Sequence, residues 1–461
     1  MKSVVQFAQQ QRFAPVDIAA LVYFRVAFGL IMLWEVGRYF SHDWIRAYWI
    51  SPSFHFTYAG FGWVSPWPGE LMYWHMAALG ALTVFITIGW FYRVSTLLFF
   101  IGFTYIFLLE QARYLNHFYL ICLLSGLMVI MPAHRTFSID SWRSPRLRSQ
   151  TVPAWTLWLL RFQIGVPYFF GGIAKLNGDW LRGQPMGMWL LESMDFPLIG
   201  QYFDQAWMVY LLSYSGLFLD LLVVPLLVWK RTRWIAFAIA VLFHLTNAYL
   251  FSIGIFPWFM IAATAMFFEP SWPRRLVKQL FRIKHHSSLI DSDQAQAADK
   301  PAGIQQKLGM AAIALYVIAQ CTLPLRHYVY PGNVNWTEEG HRFAWHMKLR
   351  DKEAKAVFFV RDPTSGWVER VMPETVLTRW QTRKMASRPD MVLQFSHYLA
   401  SQFPTVEDQP AEVRARVMAS LNGRSSQLLI NPAVDLSKVT QSSPPAPWIV
   451  PLETPLLPLQ P

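Results

Sequence analysis

One lysine lies at the end of a long apolar run, in the segment FFGGIAKLNGDWL at 169–181. A charged group beside membrane hydrocarbon is energetically costly, so Lys175 is a candidate for a functional role. Desolvation favours the neutral amine, which is the form that can act as a base. The structural alternative is an interfacial lysine whose long stem reaches the lipid headgroups.

Two further pairs of polar side chains are predicted at the same depth. YLNHFYL places Asn116 and His117 at the start of one apolar run, and FHLTNAYLFSIGIFPW places His244 and Asn247 at positions i and i+3 of another. Together with Lys175 they would form a pocket that can hold and move a proton. The alternative is that they join helices by hydrogen bonds.

The elements that must position these residues are apolar helices. The chain of 461 residues is 54% hydrophobic and only 15% charged, whereas soluble domains carry about 25% charged residues. We therefore predict a polytopic α-helical membrane protein with about nine transmembrane helices, each of roughly 20 residues. The predicted spans are 17–39, 70–90, 94–112, 115–132, 153–173, 206–229, 234–250, 253–268 and 308–324. The eighth is short and contains Pro257, so it either crosses or re-enters.

Lysine and arginine set the predicted orientation. With the N-terminus inside, most basic residues fall in inside loops, as the positive-inside rule requires. The N-terminus is therefore predicted to be cytoplasmic, and everything after about residue 325 extracytoplasmic. Attraction to anionic headgroups explains most of the net charge of +12. No basic reading module is recognisable, so nucleic acid is not a predicted partner.

Three segments are predicted along the chain: a transmembrane domain at 1–324, a small extracytoplasmic α+β domain at 325–435, and a Pro-rich, extended or disordered tail at 436–461. In the outer domain, AKAVFFVRDPTSGWVERVMP is predicted as two strands around a turn. PETVLTRWQTRKMA, PDMVLQFSHYLASQF and PAEVRARVMASL are predicted as amphipathic helices, because each has a proline near its first turn.

Other polar residues within the apolar runs are predicted to form internal ion pairs. They are Arg25, Glu35, Arg161 and Asp220. The two cysteines, Cys122 and Cys321, lie in separate apolar runs and indicate neither a disulfide framework nor a thiolate metal site.

Four blocks give the chain a resemblance to a known family: PYFFGGIAKLNGDWL, FHLTNAYLFSIGIFPWFM, FEPSWPRRL and NVNWTEEGHRFAWHM. In this order and spacing they resemble the vitamin K-dependent gamma-glutamyl carboxylases, especially the bacterial relatives with a horizontally transferred transmembrane (HTTM) domain. The resemblance runs from about residue 17 to about residue 400. It implies an enzyme of the bacterial inner membrane, with the lipid bilayer, a quinone and a protein glutamate as partners.

The resemblance also implies a reaction. A lysine removes a proton from reduced vitamin K or a related quinol, and molecular oxygen converts the quinol towards its 2,3-epoxide. The strong base formed on the way removes a γ-proton from a protein glutamate, which takes up carbon dioxide. Lys175 matches the base and His117 the histidine that assists carboxylation, while Asn116, His244 and Asn247 are assigned to the quinone site. No metal is implied.

The block NWTEEGHRFAWHMKLRDKE follows the last predicted span and resembles the family's region near the glutamate-binding site. A site for a carboxylate needs cations or hydrogen-bond donors. We predict such donors among His341, Arg342, Trp345, Arg350 and Lys352, with Arg342 or Arg350 contacting the carboxylate. Solvated surface charge is the alternative.

The chain differs from the animal carboxylases in features that concern the second half of the reaction, the carboxylation of glutamate. Those enzymes dock a propeptide on a large luminal region and carry a second lysine where Ala174 stands here. They also have a disulfide. Two alternatives therefore stay open: a quinol epoxidase without carboxylase activity, and a non-catalytic membrane scaffold of the same fold.

Overall fold

The computed structural model describes residues 13–251, 253–281, 304–403, 409–440 and 446–458. Within them, each of the nine predicted apolar stretches contains a helix. In chain order the long helices are α1 (Ala19–Ser41), α2 (Leu71–Ile88), α3 (Tyr92–Leu108), α4 (Asn116–Ile130), α5 (Ala154–Lys175), α6 (Ala206–Val228), α7 (Arg233–Phe251), α8 (Phe256–Thr264), the amphipathic α9 (Trp272–Leu280) and α10 (Ile304–Thr322).

Six helices in the described residues are long and apolar enough to cross a membrane. They are α1, α2, α5, α6, α7 and the stretch Gln306–Val329, which contains most of α10. The helices α3 and α4 and the stretch Phe256–Phe267 are apolar but shorter than the roughly 20 residues that span a bilayer. Pro257 lies in the first turn of α8 and therefore begins this helix rather than breaking it. The number of nine crossings stays a prediction.

The helix that ends at Lys175 is central in the bundle. The apolar window of α5 is 72% buried inside the protein, whereas that of Gln306–Val329 is 11% buried. α5 is therefore surrounded by protein, while α10 lies at the edge of the bundle. Both cysteines are free; Cys122 is buried in α4, and Cys321 is exposed on α10.

The chain after α10 contains a small antiparallel sheet. Its strands β3 (Lys352–Arg361), β4 (Val368–Val371), β5 (Glu412–Leu421) and β6 (Gln427–Leu428) lie in the order β4-β3-β5-β6; the short pair β1 (Pro15–Asp17) and β2 (Thr151–Pro153) lies elsewhere. Two helices, α11 (Arg379–Ala386) and α12 (Pro389–Gln402), accompany the four-stranded sheet. The predicted β3–β4 hairpin and the helix predicted for PDMVLQFSHYLASQF are confirmed. PETVLTRWQTRKMA is α-helical only over Arg379–Ala386, and Pro373 begins a separate short 3-10 helix, Pro373–Thr375.

The third predicted outer helix, PAEVRARVMASL, is wrong, because this segment forms strand β5. Val413, Ala415 and Val417 are buried, while Arg414 and Arg416 between them are exposed. This period of two residues is that of a strand with one buried face. The whole of β5 pairs with β3, which lies far away in the sequence and gives no local signal.

The tail at 436–461 is predicted to be extended or disordered, and part of it is described. Residues 436–440 include the short 3-10 helix Leu436–Lys438, and residues 446–458 contain no helix or strand of their own, yet the latter pack on the C-terminal domain. Trp448 and Ile449 are buried, and Ile449 forms a bridge to Ile430. Trp336 Nε1 donates a hydrogen bond to the Val450 oxygen at 2.7 Å. Apolar side chains between the prolines therefore hold this stretch on the domain core; the rest of the tail from 441 onwards lies outside the described residues.

Candidate functional site

One cavity of about 380 Å³ brings the candidate residues together. Its walls come from α4, α5, α6, α7 and α8 and from the segment just before β3. Most of the wall is aromatic or aliphatic. The five polar residues grouped from the sequence all line it: Asn116, His117, Lys175, His244 and Asn247. Their chemical roles stay predictions.

Lys175 forms a buried ion pair in this cavity. Its Nζ lies 2.5 Å from Oδ2 of Asp220 on α6, and the two residues are only 6% and 5% exposed. The Nζ atom also lies 5.3 Å from the centre of the Trp180 ring. Two opposite charges taken out of water stabilise each other only at such short range. The sequence marked Asp220 as a member of an internal pair but could not name its partner.

The two glycines before Lys175 allow this pair to form. A Cβ atom on Gly172 would lie 2.7 Å from Cδ2 of Leu221, and one on Gly171 would lie 3.2 Å from Oδ2 of Asp220. Small residues at these positions let α5 approach α6 closely, as is common between membrane helices. On α6, a Cβ on Gly216 would lie 3.9 Å from Cε of Lys175. Gly216 thus leaves room beside the lysine.

His244 contributes an open hydrogen-bonding atom. Its Nε2 shares a hydrogen bond of 2.6 Å with the Tyr168 hydroxyl, which lies 3.1 Å from Oγ1 of Thr264. Its Nδ1 is buried and has no partner among the described residues. A buried polar atom without a partner is unfavourable and points to a ligand or water.

Asn116 and His117 lie where the outer segment meets α4. Asn116 Nδ2 donates to the backbone oxygen of His346 at 3.2 Å. The His117 ring lies 5.6 Å from the ring of Phe256 on α8. This contact of Asn116 holds His346 at the edge of the cavity.

His346 lines the cavity but was not singled out from the sequence. It is 5% exposed, and neither ring nitrogen has a partner among the described residues. Burial lowers the pKa of His346 to about 3, so the ring is neutral at pH 7. One nitrogen then carries a proton and the other a lone pair. His341 in the same block is predicted as a donor instead, because local sequence does not show which of the two histidines lines the cavity.

The cations predicted to bind a glutamate already have carboxylate partners. Arg342 NH1 lies 2.5 Å from Oδ2 of Asp390. Arg350 NH2 lies 2.9 Å from Oε2 of Glu338, and Lys352 Nζ lies 3.8 Å from Oε1 of the same side chain. Burial lowers the pKa of Lys352 to about 7, although Glu338 opposes this shift. Their predicted role in binding stays a prediction.

The two other members of that predicted set are buried as well. Arg350 contacts the His341 ring, and burial together with the Arg350 charge holds the pKa of His341 well below its usual range. Trp345 is 1% exposed, and its ring lies 5.0 Å from that of Tyr119 among the membrane helices. Of the five residues, Arg342 lines a second cavity of about 410 Å³. That cavity shares no lining residue with the first.

The remaining charged groups in the apolar helices make internal contacts. Arg25 NH1 donates to the Ala133 oxygen at 2.8 Å, and Arg161 donates to the oxygens of Met266 and Phe268. Glu35 pairs with Arg38 at 2.7 Å. These contacts fit the predicted structural role, although Arg25 and Arg161 bind backbone oxygens rather than acids.

A second buried pair follows Lys175 closely along the chain. Asp179 accepts hydrogen bonds of 2.7 and 2.6 Å from the two terminal nitrogens of Arg424 and one of 2.8 Å from Asn422 Nδ2. The neighbouring Trp180 donates from Nε1 to the Ser213 oxygen on α6 at 2.9 Å. The C-terminal sheet is therefore tied directly to the segment that follows the lysine.

Two family models match the chain. The one described as HTTM domain matches residues 13–272, and the one described as vitamin K-dependent gamma-carboxylase, lumenal domain, matches residues 305–455. The first match covers α1 to α8, and the second covers the sheet and its helices. No solved structure matches the chain.

Proposed function

This chain belongs to the vitamin K-dependent gamma-carboxylase family and has its HTTM domain, and from this premise we propose that it oxygenates a reduced quinone in the cavity around Lys175. It is an integral membrane protein. The observation that carries the proposal is the buried Lys175–Asp220 pair, which lies in a largely apolar cavity beside histidine nitrogens that have no partner among the described residues.

The residues of the cavity suit a reduced quinone. A largely apolar wall matches an aromatic ring and its hydrocarbon tail. The Nδ1 of His244 and both ring nitrogens of His346 have no partner in the described part of the chain, so they can pair with the hydroxyl groups. When bound, the reduced quinone supplies the chemistry with oxygen that gives the 2,3-epoxide and the strong base needed to activate a glutamate.

Lys175 is the proposed base, and Asp220 makes that role feasible. In a desolvated pair the proton can move from Nζ to the carboxylate, which leaves a neutral amine beside a neutral acid and removes two buried charges. The amine then accepts one hydroxyl proton from the ligand and becomes an ammonium, while Asp220 keeps the proton that it took. The pair thus gains one proton in total.

The other cavity residues have supporting roles in this proposal. His244 and Asn247 hold the ring from α7, and Asn116 orients it from α4. His117 assists the second half-reaction, in which a protein glutamate loses a γ-proton and takes up carbon dioxide. The absence of bulk water around such a carbanion would protect it from protonation.

Two alternative functions remain in competition. A quinol epoxidase without carboxylase activity would use the same cavity and base. A non-catalytic scaffold is favoured by one observation, because a buried ion pair such as Lys175–Asp220 also occurs where two helices are simply held together.

Epoxide formation by the purified protein separates these functions. In lipid nanodiscs with reduced vitamin K and oxygen, the wild-type protein should form the 2,3-epoxide, and Lys175→Ala should reduce the rate by about 10²–10⁴-fold, the usual contribution of a general base. Lys230→Ala is the matched control, since Lys230 is 80% exposed beyond α6. Labelled carbon dioxide then distinguishes carboxylation from epoxidation alone. A wild-type protein that turns over no quinol would support the scaffold.

A further inference from the structure

The C-terminal domain contributes basic residues to the wall of the Lys175 cavity. His346 and Lys348, from the segment before β3, line it together with Lys384 from α11. Lys348 is exposed and also lines the cavity. We use the term cavity mouth for these three residues.

The two lysines of the cavity mouth lack carboxylate partners. Neither forms an ion pair with a described residue, in contrast to Arg342, Arg350 and Lys352, which Asp390 and Glu338 neutralise. A cation with a fixed acidic partner has little attraction left for an incoming anion. Among the described cations that line this cavity, Lys348 and Lys384 are therefore the two without an ion-pair partner, whereas Lys175 is paired with Asp220.

Lys348 is held against the wall of the cavity. Its Nζ lies 4.4 Å from the centre of the Phe251 ring and 5.1 Å from that of the Trp189 ring, at distances typical of cation–π contacts. Its backbone has a φ of +49°, a conformation that is unfavourable for a residue with a side chain and often marks functional positions. Asp351 and Glu192 are near enough to favour its charged form without pairing with it.

Lys384 is surrounded by positively charged side chains. The charges that act on it most strongly are all basic, and burial and these charges lower the pKa of Lys384 to about 7. They belong to Arg388, Arg383, Arg350 and Arg113. A carboxylate placed beside Lys384 would relieve this repulsion as well as gain an ion pair.

Besides the two lysines, His346 offers a hydrogen-bond donor with a fixed direction. It is 5% exposed, lines the same cavity, and has no partner at either ring nitrogen among the described residues. A neutral ring can donate from one nitrogen to a carboxylate oxygen. Lys175 is among the charges that act on His346, so this histidine lies near the proposed base.

We propose that the cavity mouth docks the side-chain carboxylate of an extracytoplasmic peptide, with Lys348 and Lys384 as its counter-ions and His346 as a hydrogen-bond donor. This inference rests on the proposed function, in which such a carboxylate belongs to the glutamyl acceptor. It assigns the carboxylate to residues other than Arg342 and Arg350. The docked side chain would then lie in the cavity that contains Lys175.

Peptide binding without quinol tests the mouth directly. The full-length protein in nanodiscs is titrated with a pentapeptide, blocked at both ends, that has one central glutamate, and with its glutamine counterpart. We expect the glutamate peptide to bind at least about 10-fold more tightly, and Lys348→Gln or Lys384→Gln to weaken its binding by at least about 10-fold, as for hydrogen bonds to charged groups. Lys384→Arg keeps the charge and should retain most of the affinity.

The matched control is Lys355→Gln, because Lys355 is an exposed lysine of β3 away from both cavities. It should bind the glutamate peptide as the wild type does. Equal affinity for the two peptides, no binding of the glutamate peptide, or unchanged binding by both lysine variants would overturn the assignment. Epoxide formation is measured separately, so a result against the carboxylate site can be distinguished from a result against the proposed oxygenase activity.

Discussion

Two buried ion pairs lie close together at the end of α5, and they are built differently. Lys175 meets Asp220 through one short contact of 2.5 Å, with a longer contact of 3.5 Å to the Gly171 oxygen. Asp179 meets Arg424 through two contacts of 2.7 and 2.6 Å, and Asn422 adds a third. The first pair lines the cavity, whereas the second does not.

The difference separates a reactive pair from a structural one. The planar guanidinium of Arg424 satisfies both oxygens of Asp179, and arginine is always charged, so this pair is fixed. A lysine ammonium is a compact charge with three donors, and it can lose its proton when desolvated. We infer that Asp179–Arg424 fastens the C-terminal domain to the bundle, while Lys175–Asp220 is available for proton transfer.

The largest effect is expected from Asp220→Asn. The amide cannot form the ion pair that holds Nζ in place in the cavity, so quinol epoxidation should fall by about 10²-fold or more, at the level of a lost general acid–base contribution. Epoxide formation in nanodiscs is the measurement. Asp204→Asn is the control, since Asp204 is an exposed residue just before α6, and it should leave the rate unchanged. An active Asp220→Asn variant would remove Asp220 from the proton transfer.

The second prediction concerns the structural pair. Arg424→Gln leaves Asp179 buried without its counter-ion and should destabilise the protein by about 3–5 kcal/mol, seen as a lower melting temperature. Arg182→Gln is the matched control, because Arg182 is 62% exposed and lies 3.8 Å from the same carboxylate; it should cost about 0–1 kcal/mol. Equal stability losses in the two variants would contradict the distinction between the pairs.

The smallest effect is expected from Lys384, a lysine that forms no ion pair with a described residue. Lys384, with a pKa of about 7, is charged below pH 7 and neutral above it. Between pH 6 and 8 its charged fraction falls about tenfold, so binding of the glutamate peptide should weaken by up to about the same factor as pH rises. The Lys384→Arg variant should bind almost independently of pH. A similar decline in that variant would assign the titration to another group.

Helices and candidate side chains could be predicted from local features of the sequence. A long apolar run indicates a helix because its length and composition can be read from that one segment, without knowledge of the rest of the chain. Lys175 was recognisable because a charge at the end of such a run is unusual. Its partner was not, because Asp220 meets it only through the packing of α5 on α6. The same limit applies to Arg342 and Arg350, whose acidic partners follow from the folded C-terminal domain.

Strand β5 is a segment whose local sequence pattern led to a wrong prediction. A proline at its start and its mixture of alanine, valine and arginine are compatible with a helix, and alternation was the weaker signal. Pairing with β3 along its whole length decides the outcome, since tertiary contacts override propensity in strands. His346 was missed for a different reason, because a neutral histidine becomes distinctive only when its burial and missing partners are known.

Chemical rescue of Lys175→Ala tests the central claim most directly. Epoxide formation is measured in nanodiscs for the wild type and for Lys175→Ala, with and without a small primary amine. If Lys175 is the base, the variant should lose about 10²–10⁴-fold in rate, and the amine should restore part of it in the variant without accelerating the wild type. A variant that forms epoxide at the wild-type rate without added amine would contradict the account.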